Sequence, residues 1–168
     1  MNESYVELLV KRKKSAAAAV GSIILAVLGA IFFFFVILTG NIFAFLIAVF
    51  FFGSAYFIRY SANVEYEYLY LDKEFTVDKI NNQTGRKKVA VYDMTQLEVL
   101  APAGSHHLDE FKSRTEIKKR DFTSKFPDSN PYEMIVREDG KLKCAVIEVN
   151  DMLLKQIERI APRKVFKD

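Results

Sequence analysis

Hydrophobic and polar positions divide this chain into two regimes. Across residues 15–58 there is no Asp, Glu, Lys, Arg or His. A soluble core has no place for so long an apolar block, whereas membrane-spanning helices require one. Residues 16–38 and 41–58 fit two spans, roughly 35 Å and roughly 27 Å long at ~1.5 Å per residue. Between them Thr39-Gly40-Asn41 supplies turn chemistry: Gly for a positive φ, Asn and Thr for local hydrogen bonds. Backbone groups cannot go unpaired in lipid, so the turn is expected to reach the headgroups and close a tight helical hairpin.

From Val64 the period changes to two. Val64, Tyr66, Tyr68 and Tyr70 alternate with Glu65, Glu67, Leu69 and Leu71, which predicts a strand with an aromatic face. Residues 72–74 form a turn, residues 75–80 the returning strand, and residues 81–85 a second polar turn ending in Gly. Val89 and Val91 mark a third strand; Leu97, Val99 and Ala101 mark a fourth, stopped by Pro102. Residues 103–130 give a weaker pattern, with a helical turn or loop over 106–112 and a fifth strand over 117–123. Tyr132, Met134 and Val136, then Asp139-Gly140, then Leu142, Cys144 and Val146 predict a hairpin with an Asp-Gly tip. The chain closes with a helix over residues 150–161, capped by Asn150 or Asp151 and carrying Leu153, Leu154, Ile157, Ile160 and Ala161 as its apolar stripe.

The expected fold class is therefore membrane α+β. A two-helix transmembrane hairpin precedes six or seven antiparallel strands in meander order, forming a curved sheet or small barrel plugged by the C-terminal helix. Three segments follow: a juxtamembrane segment over 1–14, the hairpin over 15–60 and a β-domain over 62–168. Tyr5, Val6, Leu8, Leu9 and Val10, with Glu3 and Glu7, suit either an interfacial helix or a segment docked on the β-domain.

Charge fixes an expected orientation. Lys11, Arg12, Lys13 and Lys14 precede the first span, Arg59 follows the second, and the turn between is uncharged. By the positive-inside rule both termini are cytoplasmic in a multi-pass protein of the cell membrane. A cleaved signal peptide is disfavoured, because the apolar stretch is too long, lacks a small-x-small site and leads directly into a second span. Small residues in the first span, and Gly53-Ser54-Ala55 in the second, suit close helix packing. Neither span holds an ionisable group, the usual mark of an ion or proton path.

The strand order with its final helix resembles the pleckstrin-homology-like (PH-like) domains of bacterial membrane proteins over residues 64–162. Nearly the whole chain resembles an uncharacterised family of small bacterial two-span membrane proteins, with a domain of unknown function. The matching stretches are Tyr5-Val6-Glu7-Leu8-Leu9-Val10-Lys11-Arg12, Glu65-Tyr66-Glu67-Tyr68, Val77-Asp78-Lys79-Ile80, Ala101-Pro102 and Ala161-Pro162-Arg163-Lys164-Val165-Phe166. The resemblance implies a location and a fold, and carries over no activity.

Candidate chemistry is sparse. His106-His107 lacks the further ligands a metal site needs, and adjacent side chains diverge, so a solvated loop is expected. Cys144 alternates with Leu142 and Val146 as a small core hydrophobe, with no identifiable base to activate it. Phosphate loops, nucleophile elbows and zinc spacings are absent from the sequence, so neither an enzyme nor a cofactor is expected. The basic clusters are Lys11 to Lys14, Arg86-Lys87-Lys88, Lys118-Lys119-Arg120 and Arg163-Lys164. Of these, Lys11, Arg12, Lys13, Lys14, Arg86, Lys87 and Lys88 are the candidate contacts to anionic lipid headgroups. Residues 59–168 hold 20 basic and 19 acidic residues, too even a balance for nucleic-acid binding. Tyr66, Tyr68 and Tyr70 are expected in the core beneath Leu153 and Ile157 rather than as a recognition surface. The expected function is a non-enzymatic, membrane-tethered binding or scaffolding module with a protein partner. Headgroup recognition is the first alternative, and an accessory subunit of a membrane enzyme or transporter the second.

Overall fold

The computed structural model describes residues 5–112 and 117–168 and separates into two units. One holds the apolar helices α1 (Ala16–Thr39) and α2 (Ile42–Ser61), together with residues 81–84. Ser15 caps α1 by accepting from the Ala18 amide, and Asn41 caps α2 by accepting from the Phe43 and Ala44 amides at 2.9 and 3.4 Å. Gly40 ends α1 at φ +63°, where its amide reaches the Val36 carbonyl at 2.8 Å. That left-handed conformation is the one glycine takes without a Cβ penalty.

Ser22 and Gly29 are the buried positions of α1; Ala44, Ala48 and Ala55 are those of α2. Their spacing of four and seven keeps small residues on the facing seam, as close packing in an apolar solvent requires. A Cβ added at Gly29 would stand 3.2 Å from the Phe52 ring. Gly53, by contrast, has nothing within 4 Å, so of the three small residues in that stretch Ala55 makes the contact. Both helices are long and apolar enough to cross a membrane. Helix α2 continues past the expected span through Arg59, whose charge suits the C-terminal end of the helix dipole.

Among the described residues, the other unit contains eight strands in two four-stranded sheets. The first has the order β1 (Val6–Lys11), β2 (Val64–Leu71), β3 (Glu74–Asn81), β4 (Gly85–Asp93). The second has the order β5 (Leu97–Pro102), β7 (Pro131–Glu138), β8 (Lys141–Glu148), β6 (Lys118–Asp121). A short helix α3 (Asp109–Lys112) and the C-terminal α4 (Asp151–Ile160) complete it. Asp72 and Lys73 at φ +48° and +72°, and Asp139 and Gly140 at +50° and +74°, make two-residue turns whose twist matches the flanking strands.

The seven strands from β2 to β8 fall within the expected six or seven, and Val6–Lys11 adds an eighth from ahead of the helices, antiparallel to β2 with Leu8 opposite Tyr68. The arrangement overturns the expected fold class in two respects. The order is not a meander of antiparallel neighbours, because β6 lies parallel to β8. The strands do not close into a barrel: they make two separate ladders, and edges remain. The physical reason is that β6 joins the sheet beyond β8, and β5 turns its free side to the C-terminal tail. Leu100 bonds there to the backbone of Lys164 and Phe166, both at 2.8 Å. For residues 6–11, the interfacial-helix alternative gives way to the strand.

Tyr68, Phe75, Val77, Met94, Leu97, Leu100, Met134, Ile147, Leu153 and Ile157 are almost completely buried. A second cluster gathers Val99, Ala101, Leu108, Ile135 and Cys144, flanked by Phe111, Ile117, Leu142 and Phe166. Tyr68 ties the sheets together by donating its hydroxyl to the Phe122 carbonyl at 2.8 Å, and burial pushes its ionisation well above the usual phenol range. Asn150 caps α4 through the Leu153 amide at 2.8 Å.

Candidate functional site

Within the sheet unit, the basic residues singled out from the sequence fall at the end of one edge strand and near the start of the other. Lys11 ends β1 and sits 3.9 Å from buried Glu65. Arg12 donates to the Tyr66 hydroxyl at 2.7 Å and lies over that ring at 5.6 Å. Arg86, Lys87 and Lys88 open β4, at the far edge of the same sheet. Two strands intervene, which sets the β1 and β4 backbones roughly 14 Å apart at ~4.8 Å per strand step. Lys13 and Lys14 are exposed just ahead of α1.

Arg86 is held. Its guanidinium stands 2.9 Å from both oxygens of Glu67, a carboxylate with only 5% of its side chain exposed. Burial raises the Glu67 carboxyl above its ordinary value, Arg86 opposes that shift, and the charge of Glu7 adds to it. Glu65, Glu67, Thr76 and Asp78 are all buried on the face opposite the tyrosines, and one Asp78 oxygen finds no partner. Arg86 is therefore a counter-ion to an acidic strand face, while Lys87 and Lys88 remain exposed. The sequence carried the alternation of glutamates in β2 but not the registry that brings Arg86 to Glu67.

The second sheet carries a groove of about 230 Å³ lined by Leu108, Phe111, Ile117, Ile135 and Cys144, with the Lys119–Glu133 ion pair at 2.6 Å on its wall. Cys144 contacts Glu133 at 3.8 Å, and burial together with that carboxylate pushes its thiol up to about 12. A nucleophile needs the opposite shift. The His106 and His107 rings lie 3.9 Å apart at a tilt of 38°, and His107 stacks on Phe166 at 3.6 Å with Asp168 3.6 Å from its Nε2. His107 thus fastens the C-terminal tail instead of lying in a solvated loop. Among the described residues no three His, Cys, Asp or Glu side chains are grouped to hold a metal ion. Tyr66, Tyr68 and Tyr70 are buried, and so are Leu153 and Ile157.

Sequence reasoning missed β1, although Val6, Leu8 and Val10 alternating with Glu7, Leu9 and Lys11 carried the signal. Comparison with curated proteins and with solved structures gives no match. The family described as "Bacterial PH-like domain (DUF6106)" matches residues 2–167. That match spans nearly the whole chain, and the chain belongs to this bacterial PH-like family.

Proposed function

We propose that the chain is a non-enzymatic, membrane-tethered binding module whose β-rich unit engages a protein partner at the cytoplasmic face. The observation that carries this is the pairing of two capped, strongly apolar helices with a sheet unit that keeps open edges and buries its one cysteine. Open edges recruit extended segments through backbone hydrogen bonds. Both termini lie inside the cell, on the strength of Lys11 to Lys14 and Arg59.

Alkaline washing of membranes and labelling with an impermeant maleimide test this reading. The chain is expected to stay in the washed membrane, with Thr39→Cys labelled in intact cells and Lys87→Cys only after permeabilisation. Release by the wash, or labelling of Lys87→Cys in intact cells, overturns it.

A second reading is favoured by the exposure of Lys87 and Lys88: β4 presents them to anionic headgroups, each worth about 1 kcal/mol near a charged leaflet. Lys11, Arg12, Lys13 and Lys14 extend that reading to the other flank of the hairpin.

A further inference from the structure

Strand β1 ends its sheet. Val6, Leu8 and Val10 stand opposite Tyr70, Tyr68 and Tyr66 on the core face, which leaves Glu7, Leu9 and Lys11 on the other. Glu7 is exposed, Leu9 is 47% exposed, and the Lys11 side chain is 66% exposed. The remaining edges are less available. Strand β5 is sealed by the tail at Leu100, β6 is four residues long, and β4 opens with three successive cations.

The β1 sequence is its own antiparallel complement. Turned about Leu9, Glu7 faces Lys11 of a second copy, Leu8 faces Val10, Leu9 faces Leu9, and Lys11 faces Glu7. Opposite charges directly across an antiparallel pair are favourable, and like charges are not. A shift of one residue would put the core faces of the two copies on opposite sides of the joined sheet. A shift of two, bringing Leu9 opposite Glu7, would separate the ion pairs. Glu7 is exposed on this face and faces no cation directly across β1 and β2, where Leu69 stands opposite it. A Lys11 ammonium from a second copy would give it an opposite charge directly across the pair.

We propose that β1 is a homodimerisation edge: a second copy of this chain adds its own β1 antiparallel about Leu9, joining two four-stranded sheets into one of eight. This rests on the binding-module reading and names its partner. Confinement of two copies to one membrane would raise their effective concentration and favour the pairing.

The test uses the full chain in detergent micelles, with Cys144 retained because its buried thiol does not compete. On mild oxidation Leu9→Cys is expected to give a disulfide-linked dimer, and the exposed-turn control Lys73→Cys is not. Adding Glu7→Lys or Lys11→Glu to Leu9→Cys is expected to cut the dimer yield at least fivefold, and the double exchange to restore it. Recovery by the double exchange separates lost pairing from lost folding. Cross-linking of Leu9→Cys no better than the control overturns the proposal, as does a double exchange that fails to recover, or single reversals without effect. A monomer that stays in washed membranes overturns the dimer alone. Release by the wash overturns the tether whatever the mass.

Discussion

Cys144 on the second sheet and Glu67 on the first show how burial moves two ionisable groups in the same direction. The Cys144 thiol, pushed up to about 12 first by burial and then by Glu133, is almost entirely protonated at neutral pH. Iodoacetamide at pH 8 is expected to leave it unmodified in the folded chain and to modify it fully in denaturant, read by intact mass. Rapid labelling of the folded chain would contradict its core placement. Its position was legible from the alternation of Leu142, Cys144 and Val146. Glu67 was not legible in this sense, because its neighbour Arg86 arrives through the pairing of strands. The folded chain holds the Glu67 proton to higher pH than the unfolded chain does, so ionisation opposes folding. That cost is absent below the ordinary carboxylate value and complete above the raised one. Stability is therefore expected to fall as pH rises through this window, and Glu67→Gln to flatten the fall in a series of Tm measurements. Arg86→Ala leaves the buried carboxylate without its counter-ion and is expected to lower stability by about 1–3 kcal/mol.

At the scale of elements, local chemistry translated well wherever a cap or turn decides the outcome. Thr39-Gly40-Asn41 became a C-cap and an N-cap in succession, Asp139-Gly140 became a hairpin tip, and Asn150 capped α4. Asn150→Ala should thus cost about 1 kcal/mol, seen as a lower Tm of the full chain. Which small residues form the helix seam was harder to read, since Gly29 and Gly53 are equivalent in composition and opposite in setting. Phe52 lies 3.2 Å from a Cβ at Gly29, and open space surrounds Gly53. Gly29→Leu is expected to force α1 and α2 apart at a cost of about 1–3 kcal/mol. Gly53→Leu should leave thermal unfolding in detergent unchanged. Equal effects at the two sites would show that the seam lies elsewhere.

For the molecule as a whole, period-two patterns located the strands other than β1, whereas strand partnership was not legible. Alternation in Val6, Leu8 and Val10 says that a strand is possible, but only Tyr66, Tyr68 and Tyr70 across from it say where it goes. The parallel placement of β6 beside β8 leaves no local trace in Lys118-Lys119-Arg120-Asp121. The same non-local pairing governs how headgroup binding has to be tested. A fragment starting at residue 62 would lack β1 and expose β2 as a raw edge, so it could associate for reasons unrelated to lipid. The full chain in nanodiscs avoids this. With Arg86 committed to Glu67, the exposed Lys87 and Lys88 carry the electrostatic part, about 1 kcal/mol each beside an anionic leaflet. Amide exchange across β4 is expected to slow in anionic but not neutral nanodiscs, and to recover as salt shortens the Debye length. Lys87→Ala with Lys88→Ala should abolish the difference while leaving Tm unchanged, because neither side chain is buried. Exchange that is indifferent to lipid charge would remove the headgroup reading and leave the sheet edges, with a protein opposite them, as the working surface of this chain.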